Sequence, residues 1–231
     1  MLFSSEKFLL SIVIIVLFNK KLIKNMKTRI FNLLVLDESG SMGSIEKQAV
    51  DSVNETLQSV RSAQEKYPEQ EHYVSFVTFN SDGIKTVLDC VEARKVEDIT
   101  PAQFNPACCT PLYDAIGKSV TELKKNVSEK DKVLVTIITD GYENASVEYG
   151  QKSIKAMTEK LEKQGWTFAY IGANQDSMEV SKDLGISNAM NFVADACGTK
   201  NMSQRLCDSR ARWFERVASD DCNVNKGFFD E

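Results

Sequence analysis

Three runs of nearly unbroken apolar residues, at 30–36, 133–139 and 166–171, constrain this chain most, because a strand with hydrophobic side chains on both sides must be covered on both faces. Between them lie helical patterns. Ile45, Ala49, Val53, Leu57 and Val60 recur at helical spacing, as do Leu112, Ile116, Val120, Leu123 and Val127, and then Ile154, Met157 and Leu161. Residues 71–80 read as a further strand, Ser81-Asp82-Gly83 as a turn, and the alternation of Ile84, Thr86 and Leu88 as a return strand, antiparallel and at the sheet edge. Residues 189–193 make a last edge strand. Met202, Leu206, Trp213 and Val217 then fit a closing helix, with Arg205, Arg210, Arg212 and Arg216 on its solvated faces. Strands alternating with amphipathic helices predict an α/β fold: a doubly wound, mostly parallel sheet with one antiparallel edge strand and helices on both faces. A ligand site in such a sheet belongs at the carboxyl ends of the strands.

That edge is where the chemistry gathers. Asp37-Glu38-Ser39-Gly40-Ser41 follows the first apolar run and supplies one carboxylate and two hydroxyls at alternating positions. A hard divalent cation such as Mg²⁺ takes oxygen donors in this arrangement and keeps some of its waters. Taken alone, Asp-x-Ser-x-Ser is also what a turn and helix cap are made of. Two further pieces raise its weight: Thr110, placed before Pro111-Leu112-Tyr113 as the cap of a helix, and Asp140, which ends the run 133–139 and is followed by Gly141. Together Asp37, Ser39, Ser41, Thr110 and Asp140 offer two carboxylates and three hydroxyls.

With these residues in place the chain resembles the von Willebrand factor type A (VWA) family over roughly residues 29–192, and is similar to small stand-alone bacterial VWA proteins, including the group near tellurite-resistance proteins. The family's metal-ion-dependent adhesion site is Asp-x-Ser-x-Ser, then a Thr, then an Asp-Gly after a buried strand, and all five positions are matched. The resemblance implies that Ser39 and Ser41 touch the metal directly, Thr110 directly or through water, and the two aspartates largely through water. It also implies that an Asp or Glu of a partner protein completes the shell. Mg²⁺ is the expected ion, with Mn²⁺ and Ca²⁺ as alternatives. Glu38, Glu143, Asn174 and Asp176 are the candidate partner-contacting rim, although Asn174 and Asp176 also read as caps of the following helix. Many relatives have Gly-Gly-Thr-Pro-Leu where this chain has Cys108-Cys109-Thr110-Pro111-Leu112. Those cysteines read either as small, partly buried hydrophobes or as a redox-sensitive gate beside the metal.

Composition narrows the alternatives. A net charge of -5 and 42% hydrophobic residues in 231 fit one domain with a sizeable core and argue against a general nucleic-acid binder. The six cysteines include no Cys-x-x-Cys pair, so free thiols in a reducing compartment are expected. His72 is the single histidine, at the start of a strand and away from the metal loops, which leaves no Ser/His/Asp or Cys/His constellation. The expected function is therefore a metal-dependent protein-protein interaction module and not an enzyme. The alternative is a metal-assisted hydrolase or phosphoryl-transfer enzyme. Residues 1–25 form an apolar and basic extension whose run at 8–18 is short for a membrane span. A start at Met26 would leave it out; as an anchor, it would keep the domain on the cytoplasmic side through Lys20, Lys21, Lys24, Lys27 and Arg29. The domain is expected over 26–218, in the cytoplasm, with 219–231 as a flexible tail.

Overall fold

A computed structural model describes residues 27–173 and 176–230. It places β1 (Thr28–Asp37) near the middle of a six-stranded sheet completed by β2 (Gln70–Asn80), β3 (Gly83–Glu92), β4 (Lys132–Thr139), β5 (Thr167–Ala173) and β6 (Asn188–Phe192), in the order β3-β2-β1-β4-β5-β6. All neighbours pair in parallel except β2 and β3, which are antiparallel, as the Ser81-Asp82-Gly83 turn predicts. The helices are α1 (Glu46–Lys66), α2 (Leu112–Lys124), α3 (Gln151–Lys163), α4 (Ser177–Asp183) and α5 (Ala196–Ala218). Among the described residues no helix is long and apolar enough to cross a membrane, and the apolar run 8–18 lies outside them.

Residue parity along β1 sorts the core into two layers. Ile30, Leu34 and Leu36 pack with α1 and α5, whereas Phe31, Leu33 and Val35 pack with α2 and α3. Successive side chains of a strand point to opposite faces, so a run apolar at every position can serve both layers. Asn32 is the exception in that run, and its partner corrects the sequence reading: Arg210, expected on a solvated face of α5, is fully buried. Its Nη2 donates to Asn32 Oδ1 at 2.7 Å and its Nη1 to Thr136 Oγ1 at 3.0 Å. Burial lowers its pKa to about 10. Position 210 lies four residues after Leu206 and three before Trp213, which puts it on the helix's inner stripe whatever its charge. The segment after residue 218, expected to be flexible, also packs: Val224 and Phe228 are buried, and the Phe228 amide donates to Asn188 Oδ1 at 2.9 Å.

His72 sits at the amino-terminal end of β2, level with Ile30, far along the strands from the carboxyl edge. Its Nε2 lies 2.9 Å from Gln70 Oε1 and its ring meets Phe214 edge-on at 4.8 Å, while Nδ1 has no partner among the described residues. Burial, helped by the charge of Arg210, pushes its pKa from 6.5 down to about 3. The unfolded chain therefore binds a proton that the folded one refuses. The stabilisation is complete above pH 6.5 and is lost as pH falls from there toward 3, at up to about 1.4 kcal/mol per pH unit. His72→Gln should flatten the fall in unfolding free energy between pH 6.5 and 4.5 in urea titrations; equal slopes for variant and wild type would refute this.

Candidate metal centre

Parallel pairing in register brings the first and third motif pieces to one place. Leu36 is level with Ile138, so β1 and β4 end side by side, with Asp37 abreast of Thr139 and Asp140 just beyond it. A 3₁₀ turn, Gly40–Ile45, carries Ser41 back over the strand ends before α1 begins. Ser41 Oγ then donates to Asp140 Oδ1 at 2.7 Å and lies 3.3 Å from Ser39 Oγ. The carboxylate of Asp37, fully buried, accepts from the Ser39 amide at 2.7 Å and from Thr139 Oγ1 at 2.5 Å. Thr110 comes from the loop before α2. A Cβ placed on Gly141 would lie 2.9 Å from Thr110 Oγ1 and 3.7 Å from Asp37 Oδ2, so Thr110, Asp37 and the Asp140-Gly141 loop close on one another.

The negative charge of this cluster is uncompensated. Neither Asp37 nor Asp140 takes part in an ion pair among the described residues. Burial pushes the Asp37 carboxyl up to about 6 against the hydrogen bonds from Thr139 and Ser39, and it raises Asp140 in the same direction. Desolvated carboxylates without a positive partner are costly, and a bound dication offsets that cost. Among the described residues no group of three or more His, Cys, Asp and Glu side chains is arranged so that it could hold a metal ion. The donor set is thus two carboxylates and three hydroxyls, with no soft or imidazole ligand. That chemistry fits a hard, partly hydrated ion such as Mg²⁺ and does not fit zinc.

The other predicted residues fall in different places. Glu38 is buried, accepts from the Asn105 amide, and offers its carbonyl to Ala107 at 2.9 Å, tying down the loop that carries Cys108 and Cys109. Glu143 accepts from the amides of Tyr113, Ala145 and Ser146 at 2.7 to 2.9 Å and from Ser146 Oγ at 2.7 Å. The exposed Asp176 caps α4 through Met178 and Glu179 at 3.1 and 3.2 Å. Asn174 lies outside the described residues. The start of α2 also differs from expectation: Thr110 does not cap it, and Glu143 and Ser146 reach across from the following loop to accept from Tyr113 and Asp114.

Thr139, Gly141 and Asn144 support the site in ways that motif spacing did not show. Asn144 Oδ1 accepts from the Thr110 amide at 2.8 Å while its own amide donates to the Thr110 carbonyl at 3.1 Å. A Thr closing a buried strand just before Asp-Gly is the sequence signal for Thr139; Asn144 left none. Cys108 has φ +61, a left-handed conformation that favours glycine, the residue that the family resemblance puts there. Its thiol lies 3.4 Å from both carboxylate oxygens of Asp82. Gly141→Ala should weaken divalent-cation affinity at least tenfold by pushing Thr110 aside, with little loss of fold; unchanged affinity in a calorimetric titration would show that Thr110 does not belong to the site.

The family model described as von Willebrand factor type A domain matches residues 33–204. Among solved structures, the chain is similar to the SpRpn10 VWA domain at 10% identity, with 78% of this chain and 94% of that one covered and a TM-score of 0.55. It is similar to the vWF domain of the type V pili tip protein Mfa5 from Porphyromonas gingivalis at 9% identity, covering 77% and 95%, with a TM-score of 0.53. Proximal thread matrix protein 1 from the mussel byssus shares 14% identity over 84% of this chain and 46% of its own, with a TM-score of 0.53, so the chain spans about half that protein's length. At such identities the likeness concerns the fold. No curated protein matches the sequence.

Proposed function

We propose that this chain, which belongs to the von Willebrand factor type A domain family, is a metal-dependent protein-binding module. Domains of this family typically serve in adhesion and protein interaction. Asp37, Ser39, Ser41, Thr110 and Asp140 would hold a divalent cation, Mg²⁺ first and Mn²⁺ or Ca²⁺ next. When bound, the cation supplies positive charge and an open coordination position for an Asp or Glu of a partner protein. The observation that carries this reading is the meeting of three separate loops around two carboxylates that have no positive partner among the described residues. Six free cysteines suit a reducing compartment, and we place the module in the cytoplasm on that ground.

Calorimetric titration of the protein with Mg²⁺ and Mn²⁺ tests the metal. One binding event per chain that disappears in Asp140→Ala supports the reading, and no heat at millimolar cation overturns it. Pull-down from lysate of the source cells, with metal and with chelator, tests the partner: capture must need both the metal and Asp37. Turnover of a generic phosphoester that vanishes with Asp140→Ala would instead make the site a hydrolase.

A further inference from the structure

Cys108 and Cys109 are adjacent in the sequence, and the function proposed above uses neither of them. Both are free and exposed, directly before Thr110. The peptide group that joins them is held at both of its polar atoms. Its carbonyl, that of Cys108, accepts from the Gly40 amide at 3.1 Å, and its amide, that of Cys109, donates to Ser81 Oγ at 3.1 Å. The Cys109 carbonyl in turn accepts from the Ser81 amide at 3.0 Å. Gly40 lies between Ser39 and Ser41, and a Cβ placed on it would be 3.6 Å from the Cys108 carbonyl oxygen. One peptide group therefore ties the first metal loop to the β2-β3 turn and to the loop that delivers Thr110.

Adjacent α-carbons stand about 3.8 Å apart across a trans peptide, short of the roughly 4.4–6.8 Å that disulfides usually span. A disulfide between Cys108 and Cys109 must then turn the peptide group between them, the same one whose carbonyl holds Gly40. Strained and exposed disulfides are also the readily reduced ones, so such a bond suits a reversible change better than a structural staple.

We infer that Cys108-Cys109 is a site of oxidation by hydrogen peroxide that controls cation affinity at the neighbouring metal loops. One sulfur attacks a peroxide oxygen: an S–O bond forms, the O–O bond breaks, one water leaves, and the cysteine becomes a sulfenic acid. The neighbouring sulfur attacks the sulfenic sulfur, the S–S bond forms, the S–O bond breaks, and a second water carries away that thiol's proton. Two thiols have then lost two electrons and two protons, and the peroxide has been reduced to two waters. The turned peptide group withdraws its carbonyl from Gly40 and shifts Thr110, so Ser39, Ser41 and Thr110 no longer converge and the cation is released. The inference rests on the metal-binding reading above, whose site it places under redox control. Linkage makes the control reciprocal, since a cation that prefers the dithiol form disfavours the disulfide by the same factor.

The test is calorimetric titration of the full chain with Mn²⁺ in three states: reduced, treated with hydrogen peroxide that is then removed, and treated again with dithiothreitol. Peroxide should weaken Mn²⁺ binding about tenfold or more, and dithiothreitol should restore it. Peptide mass mapping should show a Cys108–Cys109 link, lighter by two hydrogens, that forms less readily when saturating Mg²⁺ is present during oxidation. Cys109→Ser, and Cys108→Gly, which suits the left-handed backbone there, should bind Mn²⁺ like the reduced wild type and lose nothing to peroxide. Thermal melts check that both variants keep the fold. Full Mn²⁺ affinity in the linked protein, oxidation without a Cys108–Cys109 link, or an equal loss in Cys109→Ser would overturn the inference and leave the metal reading standing. A reduced wild-type chain that binds no Mn²⁺ would overturn the metal reading, and the inference with it.

Discussion

Asp37→Ala should abolish Mg²⁺ and Mn²⁺ binding and metal-dependent partner capture while leaving a cooperatively folding domain. In the wild type, a cation at a hundred times its Kd should add about 2.7 kcal/mol of stability, which for a domain of this size raises Tm by roughly 5–10 °C. The variant should show none of that rise. Its stability without metal should change by less than about 2 kcal/mol, because two effects oppose one another. Ser39 N and Thr139 Oγ1 lose their acceptor, but the chain also loses a buried carboxylate that desolvation holds at a pKa of about 6. Asp37→Asn keeps an acceptor for both donors and should match the wild type more closely without metal, yet bind cation far more weakly. Thermal melts of the three proteins with and without Mg²⁺ decide the matter. A cation-dependent rise in Tm that survives Asp37→Ala would place the ion elsewhere, and a melted Asp37→Ala domain would make this residue a structural element first.

Trp213→Ala should be the costliest single truncation in the layer under α1 and α5, at about 3–5 kcal/mol. The indole is fully buried, meets Phe214 edge-on at 5.6 Å, and donates from Nε1 to Thr167 Oγ1 at 3.0 Å. Truncation therefore opens a cavity and leaves a buried hydroxyl without its donor. Against a total stability of about 5–15 kcal/mol, such a loss brings the chain close to unfolding at 37 °C. Trp213→Phe keeps most of the volume and should cost about half as much. Urea unfolding that placed Trp213→Ala within about 1 kcal/mol of the wild type would show that α5 contributes little to the domain.

Much of this architecture was legible in the order of residues. Runs apolar at every position, such as 133–139, announce strands covered on both faces, and that property needs no knowledge of neighbours. The antiparallel return through Ser81-Asp82-Gly83 was equally local. The candidate donors could be found because each ends a strand or precedes a helix, and strand ends of a parallel sheet share an edge. What the residues hid was charge placed against type. Arg210 looked like surface because arginine usually is, and its burial rests on contacts across the fold, with Asn32 and Thr136 of the adjacent strands β1 and β4 accepting from it. Glu143 looked like an acidic rim residue, yet its carboxylate holds the amides of its own loop and of α2.

Periods of two and of 3.6, turn residues and donor types act over a few positions, so they can be read along the chain, and they account for the strands, the helices and the five oxygen-bearing residues of the candidate site. Convergence acts over long separations. Ser41 meets Asp140 across 99 positions and Arg210 meets Asn32 across 178, and neither pairing has a local signature. Those meetings and the closure of Gly141 on Thr110 exist because strand order and register set which distant residues become neighbours.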